Sequence, residues 1–398
     1  MVLFEAELAF LYTFLLGAVG LVLTVLIDRA RRRHCYRALV LFLFSLFIIL
    51  SGPFVFTHYP SAQYIYISAI VPAWLLLFPC FYLYTQALTS PVPWQFNRAS
   101  MWHFIPACLS CVLSMSLMKL PESELFAIFF AEGDVELTAD ARFTVWLIIT
   151  LMLFWPVQSL FYVLKAWRKV MNYRRKLQAV FSNTQERELN WLIVVLILML
   201  FTWCWLALTL FQDLSAQPTL LREGGVAVLS TISIWFVLFW SLRQKPGFDK
   251  IYGFTEQFDV TGDEHGVVAK DRSDVKYQHS ALSDEQSKRI AQKIHRAVVA
   301  EQLHLDPDLT LYRLAESIGV SANYVSQTLN QTLGQSFFDY INKARIDAAI
   351  KLLLADDKTV LDIAMAVGFN ARSSFYKAFK AHTGMTPGEY KKTARASR

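Results

Sequence analysis

The sequence predicts an all-α protein: a seven-transmembrane helix bundle followed by a cytosolic all-α domain with two helix-turn-helix motifs. Three observations lead there. Seven apolar runs of 19 or more residues fill the first 242 positions, and none contains Asp, Glu, Lys or Arg. Runs of that length can cross roughly 30 Å of hydrocarbon as helices. The composition is 55% hydrophobic and 15% aromatic, with the excess confined to that region, well above a typical soluble domain. Beyond it, one helical pattern occurs twice, 49 residues apart, as Leu314, Ala315 and Gly319 and again as Ile363, Ala364 and Gly368. The expected organisation is a membrane part over 1–245, a connector over 246–282 and a helical domain over 283–398.

The expected spans are 8–27, 38–57, 64–88, 99–118, 143–164, 191–211 and 224–242. The first follows Glu5 and Glu7 and precedes a run of arginines, which is the reverse of a secretory signal. With seven spans the basic segments fall on one side. They are 28–37 (Arg29, Arg31, Arg32, Arg33, Arg37), 165–190 (Lys165, Arg168, Lys169, Arg174, Arg175, Lys176, Arg187) and the tail from Arg243 and Lys245. On the other side, 58–63 and 121–141 lack Lys and Arg, and 212–223 has only Arg222. The positive-inside rule then puts the N-terminus outside and the C-terminus in the cytoplasm, as in a multi-pass protein of the bacterial inner membrane. Trp94, Trp102, Trp167 and Trp191 sit near span ends, where aromatic belts form. The basic segment 165–190 suits anionic lipid as well as topology.

Polar features within the membrane part are few. Pro53, Pro72, Pro79, Pro106 and Pro156 each remove a backbone donor and can kink a helix. His103 and Gln158 are the candidates for a ligand contact or a bond between helices. The outer loop 121–140 is acidic apart from LFAIFF at 125–130. It reads either as a lid or re-entrant helix or as a solvated connector with one amphipathic turn.

The chain has five cysteines, Cys35, Cys80, Cys108, Cys111 and Cys204, and no disulfide framework is indicated. Cys108 and Cys111 form a C-x-x-C within an apolar helix and are expected as two small buried residues on one face. No nucleotide-loop, zinc-protease or serine-hydrolase motif occurs, and the eight histidines show no metal-ligand spacing. Catalytic, metal and cofactor sites are therefore not expected, and no ligand-binding residues can be named.

Residues 246–282 carry several glycines and many charges, as a connector does. Ser283 with Gln286 fits a capping box, and Ile290, Ile294 and Val298 then mark one apolar face. In the first repeated unit Leu311, Leu314, Ala315 and Ile318 face inward, Gly319 makes the turn and Ser321 caps the next helix. Val325, Leu329 and Leu333 point to the core. Asn323, Ser326, Gln327 and Asn330 open the other face with side chains able to read base edges. In the second unit Ile363, Ala364 and Val367, then Gly368, repeat the design, with Phe369, Phe375 and Phe379 in the core. Arg372, Ser373, Ser374 and Lys377 take the free face. Arg372 suits a guanine edge or a phosphate, and Lys377 and Lys380 suit phosphates. One long helix over 335–355 joins the units.

The run D-I-A-x-x-x-G-F-x(5)-F-x(3)-F-K-x(3)-G-x-T-P-x-x-Y starts at Asp362 and ends at Tyr390. With Leu314-Ala315, Gly319, Ser321, Lys343-Ala344-Arg345-Ile346, Ala349, Leu352-Leu353 and Val360, it resembles the AraC/XylS family of bacterial transcription regulators over roughly residues 285–390. The resemblance implies sequence-specific binding of double-stranded promoter DNA. By position, the base-reading candidates are Asn323, Ser326 and Gln327, then Arg372, Ser373 and Lys377. One departure is that no Lys or Arg lies between 321 and 334, so the first unit depends on neutral contacts or on Arg313 and Lys343. The seven-span bundle where most members carry a soluble effector domain resembles a membrane-anchored branch. It implies a bilayer-bound homodimer, a small-molecule or peptide signal, and contact with RNA polymerase if the protein activates. Two other readings stay open: a transporter or enzyme with an autoregulatory DNA-binding tail, and a passive anchor on a constitutive regulator.

Overall fold

The computed structural model describes residues 6–90, 94–130, 136–184, 188–214, 222–243, 282–355 and 358–396. Except for Leu282, the connector expected over 246–282 lies outside them. The chain divides into two compact units, one of Met1–Met171 with Leu189–Tyr252, the other of Asn172–Glu188 with Gly253–Arg398.

The first unit is built from α1 (Ala6–Arg32), α2 (Cys35–Leu50), α3 (Gly52–His58), α4 (Gln63–Leu88), α5 (Arg98–Met101), α6 (Ile105–Lys119), α7 (Glu122–Phe129), most of α8 (Ala139–Val180), α9 (Asn190–Leu214) and α10 (Arg222–Arg243). Helix α2 packs on α1 and α4, α4 packs on α6, and α10 packs on α9 and α1. Among the described residues, five stretches are long and apolar enough to cross a membrane: Phe10–Arg32, Cys35–His58, Pro60–Leu88, Arg98–Lys119 and Ala139–Val180. Asn190–Trp205 and Val228–Arg243 are apolar but shorter. The outward faces are as greasy as the interior; Trp146, Met152 and Leu153 on α8 are 70%, 69% and 71% exposed.

Three of the prolines explain how this unit is held together. A proline leaves the carbonyl four residues earlier without its helical donor, and in an apolar medium that carbonyl must find another. Pro53 releases the carbonyl of Ile49, which accepts the Tyr66 hydroxyl from α4 at 3.0 Å. Pro72 releases that of Ser68, which accepts the Ser114 hydroxyl from α6 at 2.6 Å. Pro79 releases that of Leu75, which accepts Gln158 Nε2 from α8 at 3.3 Å. Each break thus becomes a bond between helices, and the central polar residue Gln158 has a structural use. His103 Nδ1 lies 2.7 Å from the Tyr162 hydroxyl.

One expectation needs amendment and one open choice narrows. Cys108 and Cys111 are both exposed on α6 rather than buried, because Ala107, Ser110, Leu113 and Leu117 form its packed face. The acidic loop holds an eight-residue helix, α7, whose Leu125 joins a core with Leu113, Leu117, Leu120 and Ala141. The amphipathic alternative describes it best, since Phe126 on its other side is exposed.

The second unit contains α11 (Asp284–His295), α12 (Leu311–Ile318), α13 (Ala322–Gln327), α14 (Phe337–Ala355), α15 (Val360–Ala366), α16 (Arg372–Thr383) and α17 (Pro387–Ala396). Single π-helical turns follow α11 and α13. Side-chain caps start most of these helices. Ser283 and Gln286 form the expected capping box on α11, and Thr310, Ser321 and Thr359 cap α12, α13 and α15. Such a cap satisfies one of the first-turn N–H groups and contributes about 1 kcal/mol.

Candidate nucleic-acid interface

Two apolar cores share one long helix. The first contains Leu311, Leu314, Ala315, Val325 and Leu329 together with Ile290, Ile294 and Val298, and α14 adds Phe337 and Ile341. The second contains Ile363, Ala364, Val367, Phe369, Phe375 and Phe379, and α14 adds Ile346, Ala349 and Leu353. The changeover falls at residues 342–345, where Asn342 and Arg345 are buried polar side chains. Helix α14 therefore belongs to both halves and fixes each to the other.

Both turns use the same backbone device. Gly319 ends α12 with φ +64°, and the Val320 N–H donates to the Ala315 carbonyl at 3.0 Å. After α15, Gly368 has φ +93°, and the Phe369 N–H donates to the Ala364 carbonyl at 3.0 Å. The left-handed region is open to glycine at no steric cost. The two glycines differ in their surroundings. A Cβ on Gly319 would meet nothing within 4 Å, whereas on Gly368 it would lie 2.7 Å from the His304 carbonyl and 2.8 Å from that of Leu305.

Of the residues expected on the first recognition helix, Asn323 is exposed, while Ser326 and Gln327 are half-buried. Ser326 accepts from Asn330 Nδ2 through its carbonyl at 2.9 Å, and Gln327 Nε2 donates to Gln331 Oε1 at 3.0 Å. Sequence reasoning passed over Tyr324, which is 40% exposed beside Asn323; its place on the polar face of the capped helix was the available sign. Arg313, expected to supply charge here, is held by Asp306 at 2.6 Å.

On the second helix Arg372, Ser373 and Lys377 are all exposed. Arg372 Nη2 donates to the Tyr376 hydroxyl at 3.0 Å, and its guanidinium lies 5.0 Å from that ring's centre. Tyr376 thus orients Arg372, a role that spacing alone did not reveal. Ala371 precedes the helix in extended conformation and provides no side-chain cap. The helix start accordingly presents a positive dipole end, which favours an anion. Lys380 is also exposed on α16. Ser374 turns away and donates to the Ala371 carbonyl at 2.8 Å.

Arg345 is the other charged group of note. It is fully buried and burial pushes its pKa down to about 10, with Asp306 acting against the shift. It remains a cation at neutral pH and donates Nε to the His304 carbonyl and Nη2 to the Asp306 carbonyl, each at 2.8 Å.

Residues 314–393 match a helix-turn-helix domain family. An uncharacterized HTH-type transcriptional regulator of Staphylococcus aureus is 34% identical over 99 residues, 25% of this chain and 13% of that protein. The melibiose operon regulatory protein of Escherichia coli is 34% identical over 93 residues, 23% of this chain and 31% of that protein. The chain thus spans less than a third of these relatives' lengths. Among solved structures, the C-terminal domain of AraT, a response regulator from Geobacillus stearothermophilus, is 34% identical and covers 27% of this chain and 84% of its own, with TM-score 0.24. The C-terminal domain of the two-component response regulator yesN from Fusobacterium nucleatum is 29% identical, covering 27% and 98%, with TM-score 0.23. The matched residues form a helix-turn-helix domain similar to those of transcription regulators.

Proposed function

We propose that the chain is a membrane-bound one-component transcription regulator of the AraC/XylS type, which binds promoter DNA and answers to a signal at its helical bundle. The observation that carries the DNA-binding part is the pair of helix-turn-helix halves sharing α14, within residues that match a helix-turn-helix domain family. In this reading α16 enters the major groove with Arg372 and Ser373 at base edges or phosphates and Lys377 at a phosphate. Helix α13 presents Asn323, Ser326 and Gln327. Affinity comes chiefly from α16, since α13 has no cationic side chain of its own.

The membrane part rests on five long apolar helices, two shorter ones and an apolar exterior. Charge distribution among the loops supports a seven-span arrangement in the inner membrane with the C-terminus in the cytoplasm. A homodimer on paired half-sites, and contact with RNA polymerase if the protein activates, complete the proposal.

The test uses the whole chain. Tagged full-length protein, retained in alkali-washed membranes, is expected to enrich discrete promoter fragments in chromatin immunoprecipitation. A C-terminal reporter fusion active only outside the cytoplasm should be silent. Absence of any enriched fragment would sink the DNA-binding reading, and an active reporter the topology. Exchanging the bundle for an unrelated anchor separates sensing from passive anchoring, because unchanged regulation would leave no role for a signal.

A further inference from the structure

Residues 172–188 belong to the compact unit that carries the helix-turn-helix halves, although in sequence they lie between the apolar parts of α8 and α9. The chain therefore passes between the units at 171–172 and 188–189 as well as at 252–253. Within the second unit the segment is specifically seated. Phe181 forms an isolated antiparallel bridge with Thr310, the residue that caps α12. The Ser182 N–H and hydroxyl both donate to the Leu309 carbonyl, at 3.3 and 2.8 Å. Arg345 Nη1 donates to the Ser182 carbonyl at 3.3 Å and Nη2 to the Ser182 hydroxyl at 3.1 Å. Phe181, Ser182 and Thr184 are all buried. Thr184 donates to Glu188 at 2.6 Å, and Glu188 also accepts from Arg174, which closes the segment on itself.

We propose that residues 181–184 are a docked strap that locks the two helix-turn-helix halves in one relation, and that releasing it through movement of α8 and α9 weakens DNA binding. The seat is the place where the halves meet. Leu309 and Thr310 lead into α12 of the first half, while Arg345 stands on α14 at the changeover between the two cores. The same Arg345 holds the 304–306 turn against which Gly368 of the second half is packed. Ser182 accepts from Arg345 and donates to Leu309, so it bridges the two sides. Withdrawing the strap removes the Ser182 bonds that join Leu309 to Arg345 and opens that side of the junction to water, so the two sides lose a direct tie. The junction then loosens. Two recognition helices that need simultaneous contact with one duplex lose their preorganisation, and affinity falls.

This inference deepens the regulatory reading and rests on it for its link to DNA. The first test needs no DNA. Directly opposite residues of an antiparallel pair have Cα atoms about 4.5–5.5 Å apart, a span a disulfide can close. Phe181→Cys with Thr310→Cys is made in full-length protein in lipid nanodiscs, with Cys108, Cys111 and Cys204 changed to serine. Oxidation is expected to give the intramolecular cross-link, found by peptide mass analysis, and Thr310→Cys alone reports any cost to the helix cap. No cross-link in the paired variant would overturn docking.

The second test is Ser182→Pro, which removes the strap's N–H and hydroxyl while sparing the bonds of Arg345 to His304 and Asp306. Amide exchange over residues 303–310 and 341–346 is expected to accelerate. Affinity for the fragment most enriched by the wild-type chain is expected to fall by roughly five-fold or more, with Ser182→Ala falling between. Unchanged exchange, or binding that is equal or tighter, contradicts the strap's role. If the wild-type chain enriches no DNA, the regulatory reading fails, whereas the cross-link and exchange results still decide whether the strap docks and stiffens the junction.

Discussion

The two recognition helices are placed by the same turn geometry yet are built differently. Helix α13 has six residues, is capped by Ser321 and runs into a π-helical turn, whose Asn330 and Gln331 bond to Ser326 and Gln327. Helix α16 has twelve residues and no side-chain cap, and it carries Arg372, Lys377 and Lys380. A capped, neutral, self-bonded helix keeps its own stability and exerts little long-range attraction. An uncapped cationic helix leaves donors and charge available for a polyanion. Under the proposed reading the contrast divides the work, with α16 supplying attraction and α13 supplying discrimination once close.

The largest expected effect tests the turns that set these helices. Gly368→Ala should cost about 3 kcal/mol or more, since both the left-handed backbone and two carbonyl contacts oppose a Cβ. Gly319→Ala should cost only about 1–2 kcal/mol, the backbone preference alone. Native-state hydrogen exchange of α15 and α12 amides in the full-length protein reads both, and equal losses would remove the distinction between the turns. Next comes DNA. Arg372→Ala should weaken promoter binding by about 1–3 kcal/mol, and Lys377→Ala should lower the salt slope by about 1. Asn323→Ala and Gln327→Ala should change sequence preference with the salt slope intact. Titrations at several salt concentrations decide, and a changed slope for the neutral pair would break the proposed division.

Smaller effects sharpen the comparison of helix starts. Ser321→Ala should destabilise α13 by about 1 kcal/mol, and Ala371→Ser should stabilise α16 by about 0.5–1 kcal/mol. Protection factors in the first turn of each helix test this pair. The smallest effect concerns α17. Glu389 accepts from the Thr386 N–H and hydroxyl, both at 2.8 Å, and these bonds hold its carboxyl below the usual 4.5. A depressed folded value means that the stabilisation is present above pH 4.5 and is lost as pH falls through the folded value. Protection factors of α17 amides, corrected for the intrinsic pH dependence of exchange, should therefore fall on acidification in the wild-type chain, and Glu389→Gln should abolish that fall.

Much of the second unit was legible because its signals are local. The Ser283–Gln286 capping box, Gly319 and Gly368 at the turns, and the buried faces of α12 and α15 are all written within four or five residues of chain. Other features left no such mark. Ser326 and Gln327 have the right chemistry for base reading, but the short α13 and its π turn leave both half-buried. Tyr376 became important only through its contact with Arg372. Cys108 and Cys111 were expected inside because their helix is apolar, yet in a bundle with an apolar exterior hydrophobicity does not distinguish inside from outside.

By itself, the sequence determined the helical class, where many of its helices begin and turn, and the chemistry of α16, since propensity, capping and periodicity act between neighbours a few residues apart. Tertiary structure alone decided which side chains answer the carbonyls released by Pro53, Pro72 and Pro79, and that Ser182 meets Arg345 across 163 residues. Those pairings depend on what folding brings within 3 Å of a buried polar atom. An unpaired buried donor or acceptor is costly wherever it arises, but the chain carries no local record of the partner that will satisfy it.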